Sequence, residues 1–340
     1  MEIPRLLTEL LLAPGASGYE DPVQAIVRRE AEASGAEIST DVLGTTIATV
    51  KGTAGGRTVG LFAHADQVGV SVRDAGDDGL LTVAKLANWN PRDARGQRVR
   101  ITTATGEVRG VLVAPHEGEI SWDVLRVDIG ATDRKQALQL VLPGDPIVLD
   151  APPEALPNGR ILSGALDNRI GVYAGLEILR RVAADPPGWD VALVVTVQEE
   201  NNHGGARVTA QRLAPDVAIV IEVSYAGDAP GYAPWGGDVK LGGGPTVFRG
   251  PVVSPIVGDA LLAIAARDGI TVATETGAAT HTDADDVFTV ADGIAAGVVC
   301  IPLRYMHTAG EIVQLSDVDD TSRLIEAYVR SLTAETSFLR

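Results

Sequence analysis

The sequence predicts an α/β fold in which helices sandwich a mostly parallel β-sheet and a small β-rich domain is inserted. Short runs rich in Val and Ile, apolar throughout rather than alternating, are typical of strands buried on both faces. Longer segments with apolar residues at helical spacing separate these runs, and this alternation favours parallel strands covered by helices. The predicted long strands cover residues 57–63, 190–197, 217–223, 270–274 and 297–303.

Three segments are predicted to be helices. Residues 22–34 and 168–183 place their apolar side chains on one helical face. The third helix covers the end of the chain, where residues 324–332 repeat apolar side chains at the same spacing. Ser316 stands three residues before Asp319 in an arrangement like a capping box, so we expect Ser316 to cap this helix.

The segment between the first and second predicted long strands departs from this alternation. We expect residues 69–160 to form an inserted β-rich domain, and residues 1–68 and 161–340 to form the α/β domain. One helix is expected within the insert, at residues 133–140. Its strand-like pieces are separated by Gly- and Asp-rich turns and cover residues 79–84, 98–103, 108–113, 125–129 and 146–149.

Composition and charge restrict the classes of partner. The 340 residues include 28 basic and 45 acidic side chains, a net charge of −17, with 45% hydrophobic residues as in a folded protein. An acidic chain without a basic run argues against nucleic acid or an anionic membrane as partner. No apolar run approaches the roughly 18 residues of a membrane span. Cys300 is the one cysteine, which excludes an intrachain disulfide and suits a cytoplasmic location.

Candidate metal ligands lie at the ends of predicted strands. His64 directly follows the strand at 57–63, and Asp66 lies two residues later, a spacing at which a carboxylate can orient an imidazole. Glu222 ends an apolar run, and His307 follows the strand at 297–303. Taken singly, each also fits a loop histidine or a solvated acid at a strand end.

Three further acidic residues each allow a structural and a functional interpretation. Asp167 precedes the helix at 168–183, where it fits either a helix cap or a carboxylate that bridges two cations. Glu199 and Glu200 end an apolar strand, and adjacent strand side chains point to opposite faces. Both can therefore reach one site only if the chain turns there, as the following Asn-Asn-His-Gly-Gly allows. Such a pair suits two roles, one glutamate binding metal and the other acting as general base on water, although an acidic strand end in water is the alternative.

Together these side chains are expected at one edge of a parallel sheet. A set of histidines and carboxylates without a thiolate suits Zn, Co or Mn at a hydrolytic site, and there are enough ligands for two ions sharing Asp167. His203 and His281 lie in polar loops and are interpreted as walls of a pocket, whereas His116 is expected at the surface.

Nine sequence motifs indicate a family. They are PGASGYEDPV, AHADQVG, VDIGATDRKQA, LPGDPIV, SGALDNRIG, QEE, GDAPG, THTDADDV and PLRYMHTAGEIVQLSDVDD. By these motifs, which span nearly the whole chain, the sequence resembles the tetrahedral (TET-type) di-metal aminopeptidases, relatives of which are described as glutamyl aminopeptidases or endoglucanases. The resemblance implies a zinc-peptidase-like fold and two divalent metal ions per subunit, Zn, Co or Mn.

The resemblance also implies roles for the residues that match the family's motifs. His64, Asp167 and Glu222 would hold one metal ion. Asp167, Glu200 and His307 would hold the other.

Further roles follow from the same resemblance. Glu199 would be the general base, and Asp66 would steady the first histidine ligand. The residues His281, Thr282 and Asp283 would lie in the wall of the substrate pocket.

The chain departs from the family's usual residues at three places. The family usually has Asp where Glu222 stands, and the longer side chain bears on metal coordination. It usually has Val-Gly where Asn201 and Asn202 follow the paired glutamates, and Gly where His281 precedes the Thr-Asp-Ala of the pocket wall. These last two departures bear on substrate preference.

The resulting hypothesis is a cytoplasmic exopeptidase that removes N-terminal residues from short peptides with water activated by two metal ions. The insert would mediate a homodimer, and dimers would assemble into a hollow tetrahedral dodecamer. Two alternatives stay open from the sequence. One is a related metallohydrolase (a carboxypeptidase or deacylase) or the glycosidase suggested by the endoglucanase label, and the other is a scaffold with a degenerate metal site.

Overall fold

The computed structural model describes residues 2–230 and 238–340. The last glycine of the GDAPG motif, Gly231, lies outside the described residues.

Strands account for much of the described chain. They are β1 (Glu37–Thr40), β2 (Thr46–Val50), β3 (Thr58–His64), β4 (Val70–Ala75), β5 (Leu81–Lys85), β6 (Arg98–Thr103), β7 (Gly106–Val113), β8 (Arg126–Asp128), β9 (Pro146–Leu149), β10 (Glu154–Leu156), β11 (Arg160–Ser163), β12 (Asp190–Thr196), β13 (Val217–Tyr225), β14 (Thr246–Arg249), β15 (Ala273–Thr276), β16 (Ala295–Leu303) and β17 (Glu311–Gln314).

The α-helices precede, separate and follow these strands. They are α1 (Arg5–Leu12), α2 (Asp21–Ala33), α3 (Pro91–Ala94), α4 (Arg134–Leu140), α5 (Leu166–Ala184), α6 (Glu199–Asn202), α7 (Gly204–Leu213), α8 (Pro255–Asp268), α9 (Ala284–Val287) and α10 (Leu315–Ser331).

The main sheet is mixed, with a parallel centre. Across the described residues its strand order is β1-β2-β12-β3-β13-β16-β14-β15. The neighbours β12, β3, β13 and β16 are all parallel, whereas β2 and β14 pair antiparallel with the two outer members of this group. The predicted α/β fold with a mostly parallel sheet is confirmed. Because the four central strands share one direction, their carboxyl ends meet at one edge of the sheet.

Helices cover both faces of the sheet, as predicted. Along β3, Leu61 packs into one apolar cluster with α5, and its neighbour Phe62 packs into a second cluster with Ala206 and Ala210 of α7. Adjacent strand residues point to opposite faces, so a strand buried on both sides has to be apolar throughout. The continuous apolar runs in the sequence reflect this burial on both faces.

The inserted segment forms a closed barrel. Its strands follow the order β4-β5-β8-β7-β6-β9 around the barrel and fall within residues 70–149. Buried side chains such as Leu81, Ile101 and Leu112 fill the interior. The predicted strands at 98–103 and 146–149 coincide with β6 and β9. The strand β4, whose sequence alternates between apolar and polar residues, was not predicted.

Two local predictions are wrong. The helix α10 begins at Leu315, so Ser316 lies inside its first turn and is not the cap. The cap position belongs to Gln314, whose side chain makes no capping hydrogen bond. The predicted strand at 270–274 starts too early, because β15 begins at Ala273 after the chain leaves α8. The first error comes from a capping-box pattern that lies inside the helix, and the second from apolar residues that precede the strand.

Among the described helices of eight residues or more, three were not predicted from the sequence: α1, α7 and α8. The helix α8 is apolar on nearly every side, so its sequence lacks the one-sided pattern that marks a helix. Within the described part of the chain, the helices all lack the combination of length and apolar character that a bilayer crossing requires.

Candidate metal centre

His64 is the last residue of β3 and is almost fully buried. Its Nδ1 lies 3.1 Å from the backbone oxygen of Asp66 and 3.4 Å from the Asp66 Oδ1 atom. Both neighbours can accept a hydrogen bond from Nδ1, and Nε2 is left directed at the carboxylates beyond it. This arrangement orients the imidazole as a ligand through Nε2.

The carboxylate of Asp66 does more than face the imidazole. It accepts hydrogen bonds from the backbone N–H groups of Glu199 at 3.0 Å and Glu200 at 3.1 Å. It also accepts one from the hydroxyl of Ser17 at 2.6 Å. The residue that was predicted to steady a histidine therefore also fixes the turn that carries both candidate glutamates.

The chain turns at Glu199 and Glu200, as it must if both side chains are to reach one site. The strand β12 ends at Thr196, and Gln198 adopts a left-handed conformation with φ of 60° before the short helix α6 begins. The backbone N–H of Gln198 donates to Glu20 Oε1 at 3.0 Å. Because the chain leaves the strand here, both glutamates reach the same site.

Asp167 lies between the two histidines that were predicted to bind different ions. Its Oδ1 is 3.1 Å from His64 Nε2, and its Oδ2 is 3.2 Å from His307 Nε2. Asp167 stands in the first turn of α5 with ψ of 109°, so it does not continue the helix and its side chain turns into the site. One carboxylate oxygen faces each imidazole, which is the arrangement of a bridging ligand.

The remaining two acids complete two groups around this carboxylate. Glu222 Oε1 lies 3.5 Å from His64 Nε2, and Glu200 Oε1 lies 3.3 Å from His307 Nε2. The ligand atoms of His64, Asp167 and Glu222 all lie within 4.8 Å of one another, and so do those of Asp167, Glu200 and His307. The structure thus brings together both predicted ligand sets.

The donor set fits divalent metal ions. Glu200 Oε1 is buried, and within the described residues it has no hydrogen bond of good geometry, although His307 Nε2 lies 3.3 Å away. Carboxylates and imidazoles without a thiolate are donors that zinc, cobalt and manganese accept in hydrolytic sites. A buried carboxylate oxygen left without a hydrogen-bond donor is costly unless a cation faces it.

The ionisation of these groups is strongly perturbed. Burial raises the pKa of Glu222 to about 8, and the nearby charges of Asp167 and Glu199 act in the same direction. Burial alone would also raise the pKa of Asp167, but hydrogen bonds from His307 and His64 outweigh it and hold that pKa well below its usual range. Carboxylates crowded in a buried site repel one another, and a divalent cation relieves that repulsion.

Glu199 stands beside the two groups. Its Oε2 lies 3.7 Å from His64 Nε2, and its Oε1 lies 3.4 Å from His203 Nε2. Burial raises the pKa of Glu199, with the charge of Glu200 adding to the effect. His203 Nδ1 is in turn 2.8 Å from Asp286 Oδ2. A carboxyl group with a raised pKa, held by a histidine at the edge of a ligand cluster, is suited to accept and return a proton.

An open cavity of about 930 Å³ leads to these residues. His281 and Thr282 line it, as predicted for the pocket wall. Asp283 is fully buried behind that wall, where its Oδ2 accepts a hydrogen bond from Thr196 Oγ1 at 2.6 Å. The structure therefore does not place Asp283 among the residues that line the cavity. His116, in the inserted barrel, is exposed.

One supporting residue was missed. Glu311 accepts hydrogen bonds from the backbone N–H of His307 at 2.8 Å and from that of Asp167 at 3.2 Å. Burial raises the pKa of Glu311 to about 8. It connects the backbones of two candidate ligands that lie far apart in the sequence. The available signal was an acid four residues after His307, in the motif that already carried the resemblance.

A buried arginine holds the N-terminal segment against the site. Arg169 donates to the backbone oxygens of Leu10 at 2.8 Å and Ala13 at 3.1 Å, and its Nη2 lies 3.3 Å from Gln67 Oε1. Burial lowers the pKa of Arg169 to about 10, so it stays protonated at neutral pH.

We expect Arg169→Met to lower the free energy of unfolding by about 3–5 kcal/mol, because buried carbonyl groups lose a charged donor. Urea unfolding at one fixed protein concentration measures this. Arg92→Met, at an exposed arginine, is the matched control and should change stability by less than about 0.5 kcal/mol. Equal losses in the two variants would contradict the structural role of Arg169.

The fold and the ligand set define a class of protein: a metal-dependent hydrolase with an α/β architecture and a candidate active site at the carboxyl edge of its sheet. The family model described as M42 glutamyl aminopeptidase matches residues 44–324, and the chain belongs to this family. It is therefore an aminopeptidase, and the predicted family and enzyme class are confirmed.

Individual relatives agree with this assignment. The lysyl aminopeptidase of Pyrococcus furiosus is 32% identical, over 96% of this chain and 96% of the relative. The structure of the TET aminopeptidase from the marine sediment archaeon Thaumarchaeota archaeon SCGC AB-539-E09 is 30% identical, with a TM-score of 0.93 over 97% of this chain and 96% of that one. The TET1 peptidase of Pyrococcus horikoshii, described as able to assemble into a tetrahedron or a large octahedral shell, is 28% identical, with a TM-score of 0.85 over 96% and 99% of the two chains.

Proposed function

We propose that the chain removes N-terminal residues from short peptides with two divalent ions bound in the cavity. The observation that supports two ions is the position of Asp167, whose oxygens lie 3.1 Å from His64 Nε2 and 3.2 Å from His307 Nε2. His64 and Glu222 would complete one site, and Glu200 and His307 would complete the other. When bound, two ions of zinc, cobalt or manganese polarise the scissile carbonyl and lower the pKa of a nearby water.

Glu199 is the proposed general base. Its Oε2 takes a proton from the attacking water and returns it to the leaving amine. Its other carboxylate oxygen faces His203, and its backbone N–H is fixed on the carboxylate of Asp66. Contacts at the backbone and at the carboxylate thus fix the position of Glu199. The carboxylate therefore does not have to be ordered before it accepts the proton.

We propose that the inserted domain, residues 69–160, mediates a homodimer and that dimers assemble into a dodecamer. Residues 1–68 and 161–340 then form the catalytic domain. Two facts support this: the strands of the barrel all fall within residues 70–149, and the similar TET1 peptidase assembles into a tetrahedron. We further propose a cytoplasmic location, which suits a chain whose single cysteine is free.

Metal removal tests the proposed activity. We expect a chelator followed by desalting to reduce hydrolysis of leucine p-nitroanilide by roughly 100-fold or more, because the carboxylates alone cannot activate water at neutral pH. Zinc, cobalt or manganese, added back singly, should restore it. The N-acetylated substrate is the matched control and should not be cleaved, since it lacks a free α-amine. Cleavage of the blocked substrate, or full activity of the metal-free protein, would contradict the proposal.

A further inference from the structure

The cavity continues beyond the candidate ligands to another acid, Glu275 on β15. Its Oε2 accepts a hydrogen bond from the hydroxyl of Ser224 at 2.5 Å, and both side chains line the cavity. No ion pair joins Glu275 to a lysine or arginine of the residues that the structure describes. The carboxylate therefore faces the cavity without a cationic partner from that part of the chain.

The register of β13 relates this acid to the candidate metal ligands. Ser224 lies two residues after Glu222 on the same strand, so both side chains project from the same face. Two residues of strand correspond to roughly 6.6 Å. The Glu275 carboxylate, in contact with Ser224, therefore lies beside the residue that follows the candidate ligand Glu222 on the same face of the strand.

The wall between the ligand cluster and Glu275 is apolar. Val298, Cys300 and Phe248 line the cavity there, and Cys300 is the strand partner of Glu222. Burial raises the pKa of the Cys300 thiol well above its usual value, so the thiol is uncharged at neutral pH. An aliphatic stem can pack on such a wall while a polar head reaches the acid beyond it.

The basic groups at the rim of the cavity are already paired. Arg207 Nη2 lies 2.7 Å from Asp286 Oδ1, and His203 Nδ1 lies 2.8 Å from Asp286 Oδ2. These groups therefore do not compensate the charge of Glu275. Burial raises the pKa of Glu275, and an incoming cation would act against this shift by favouring the ionised form.

We propose that Glu275 selects substrates whose N-terminal residue is lysine or arginine. The inference rests on the proposed aminopeptidase function, because it takes the substrate's α-amine to lie at the ligand cluster. From there the side chain of the N-terminal residue extends along the apolar wall, and its cation meets the Glu275 carboxylate in a charge-assisted hydrogen bond.

The test compares two p-nitroanilide substrates, of lysine and of norleucine, on the metal-loaded enzyme. The two stems have the same length, and only lysine carries a charge. We expect Glu275→Gln to reduce kcat/KM for lysine by roughly 10–100-fold, mainly through KM, because the variant loses binding that is uniform along the reaction. Norleucine should change by less than about threefold, which also shows that the variant is folded. Glu32→Gln, at an exposed acid of α2, is the control and should leave both substrates unchanged.

A charge-reversed variant, Glu275→Arg, gives a second readout. It should hydrolyse glutamate p-nitroanilide better than the wild type does, and lysine worse, a change of preference that a merely structural role would not produce. Wild-type enzyme that cleaves norleucine as well as lysine, or equal losses for both substrates in Glu275→Gln, would overturn the assignment of Glu275 alone. A metal-loaded enzyme that cleaves none of these substrates would overturn the proposed function, and this inference with it.

Discussion

Replacement of Glu199 by glutamine is expected to reduce kcat by roughly 10³-fold or more while both metal ions stay bound. The amide keeps the size of the side chain but cannot accept a proton from water. Glu199 does not belong to either ligand group around Asp167, so its loss leaves the ligand atoms in place. Steady-state kinetics on leucine p-nitroanilide, together with metal analysis of the same samples, measure both quantities.

The matched control for this variant is Glu32→Gln, which removes an exposed carboxylate from α2. It should retain wild-type kcat and metal content. A Glu199→Gln enzyme that turns over within tenfold of the wild type would remove Glu199 from the role of general base. Loss of metal from that variant would instead make Glu199 a ligand.

Asp167→Asn is also expected to cause a large loss of metal and activity, because it removes the one carboxylate shared by both ligand groups. A neutral amide offers a single weak oxygen donor and leaves the charges of Glu200 and Glu222 to stabilise the ions alone. We expect fewer than one metal ion per chain after desalting, and kcat/KM reduced by roughly 10³-fold or more. Metal analysis by mass spectrometry reports the first result independently of activity.

The control here is Asp292→Asn, at an exposed aspartate in the turn before β16. It should bind as much metal as the wild type. If Asp167→Asn keeps two ions per chain, the bridging role is wrong, whatever its activity. If it loses one ion and keeps the other, Asp167 serves a single site and the two groups act separately.

The structure shows where the residues that differ from the family's usual ones lie. Glu222 reaches the cluster with its longer side chain, and its Oε1 also accepts a hydrogen bond from the backbone N–H of Val223 at 3.0 Å. Asn201 and Asn202 are exposed in α6 and line the cavity beside His281. The first departure concerns the candidate metal site, and the others lie in the lining of the cavity.

The sequence predicted the central strands well because a strand that is buried on both faces is a continuous apolar run. Strands β3, β12 and β16 are continuous apolar runs, and their ends are predicted within about two residues. The strand β4 and the helix α8 have no comparably distinct sequence pattern. In β4 the polarity alternates over only six residues, and in α8 the apolar character is nearly uniform. Local pattern therefore identified elements only where it reflected their burial.

By itself, the sequence determined the kind of chemistry. Histidines and carboxylates at strand ends, with no thiolate among them, indicate a hydrolytic metal site wherever such ends converge. It could not determine that His64 and His307 face opposite oxygens of Asp167. Those distances depend on the order of the strands in the sheet, and on loop conformations such as the left-handed one at His307.

Only the tertiary structure decided which neighbours support the site. Asp66 fixes the turn of the paired glutamates, Glu311 joins the backbones of two candidate ligands, and Asp283 lies behind the wall that it was expected to line. Glu275 enters the cavity from a different strand than any candidate ligand. The physical reason is common to all four residues: a side chain's surroundings are set by segments distant in sequence, whose packing no local pattern encodes.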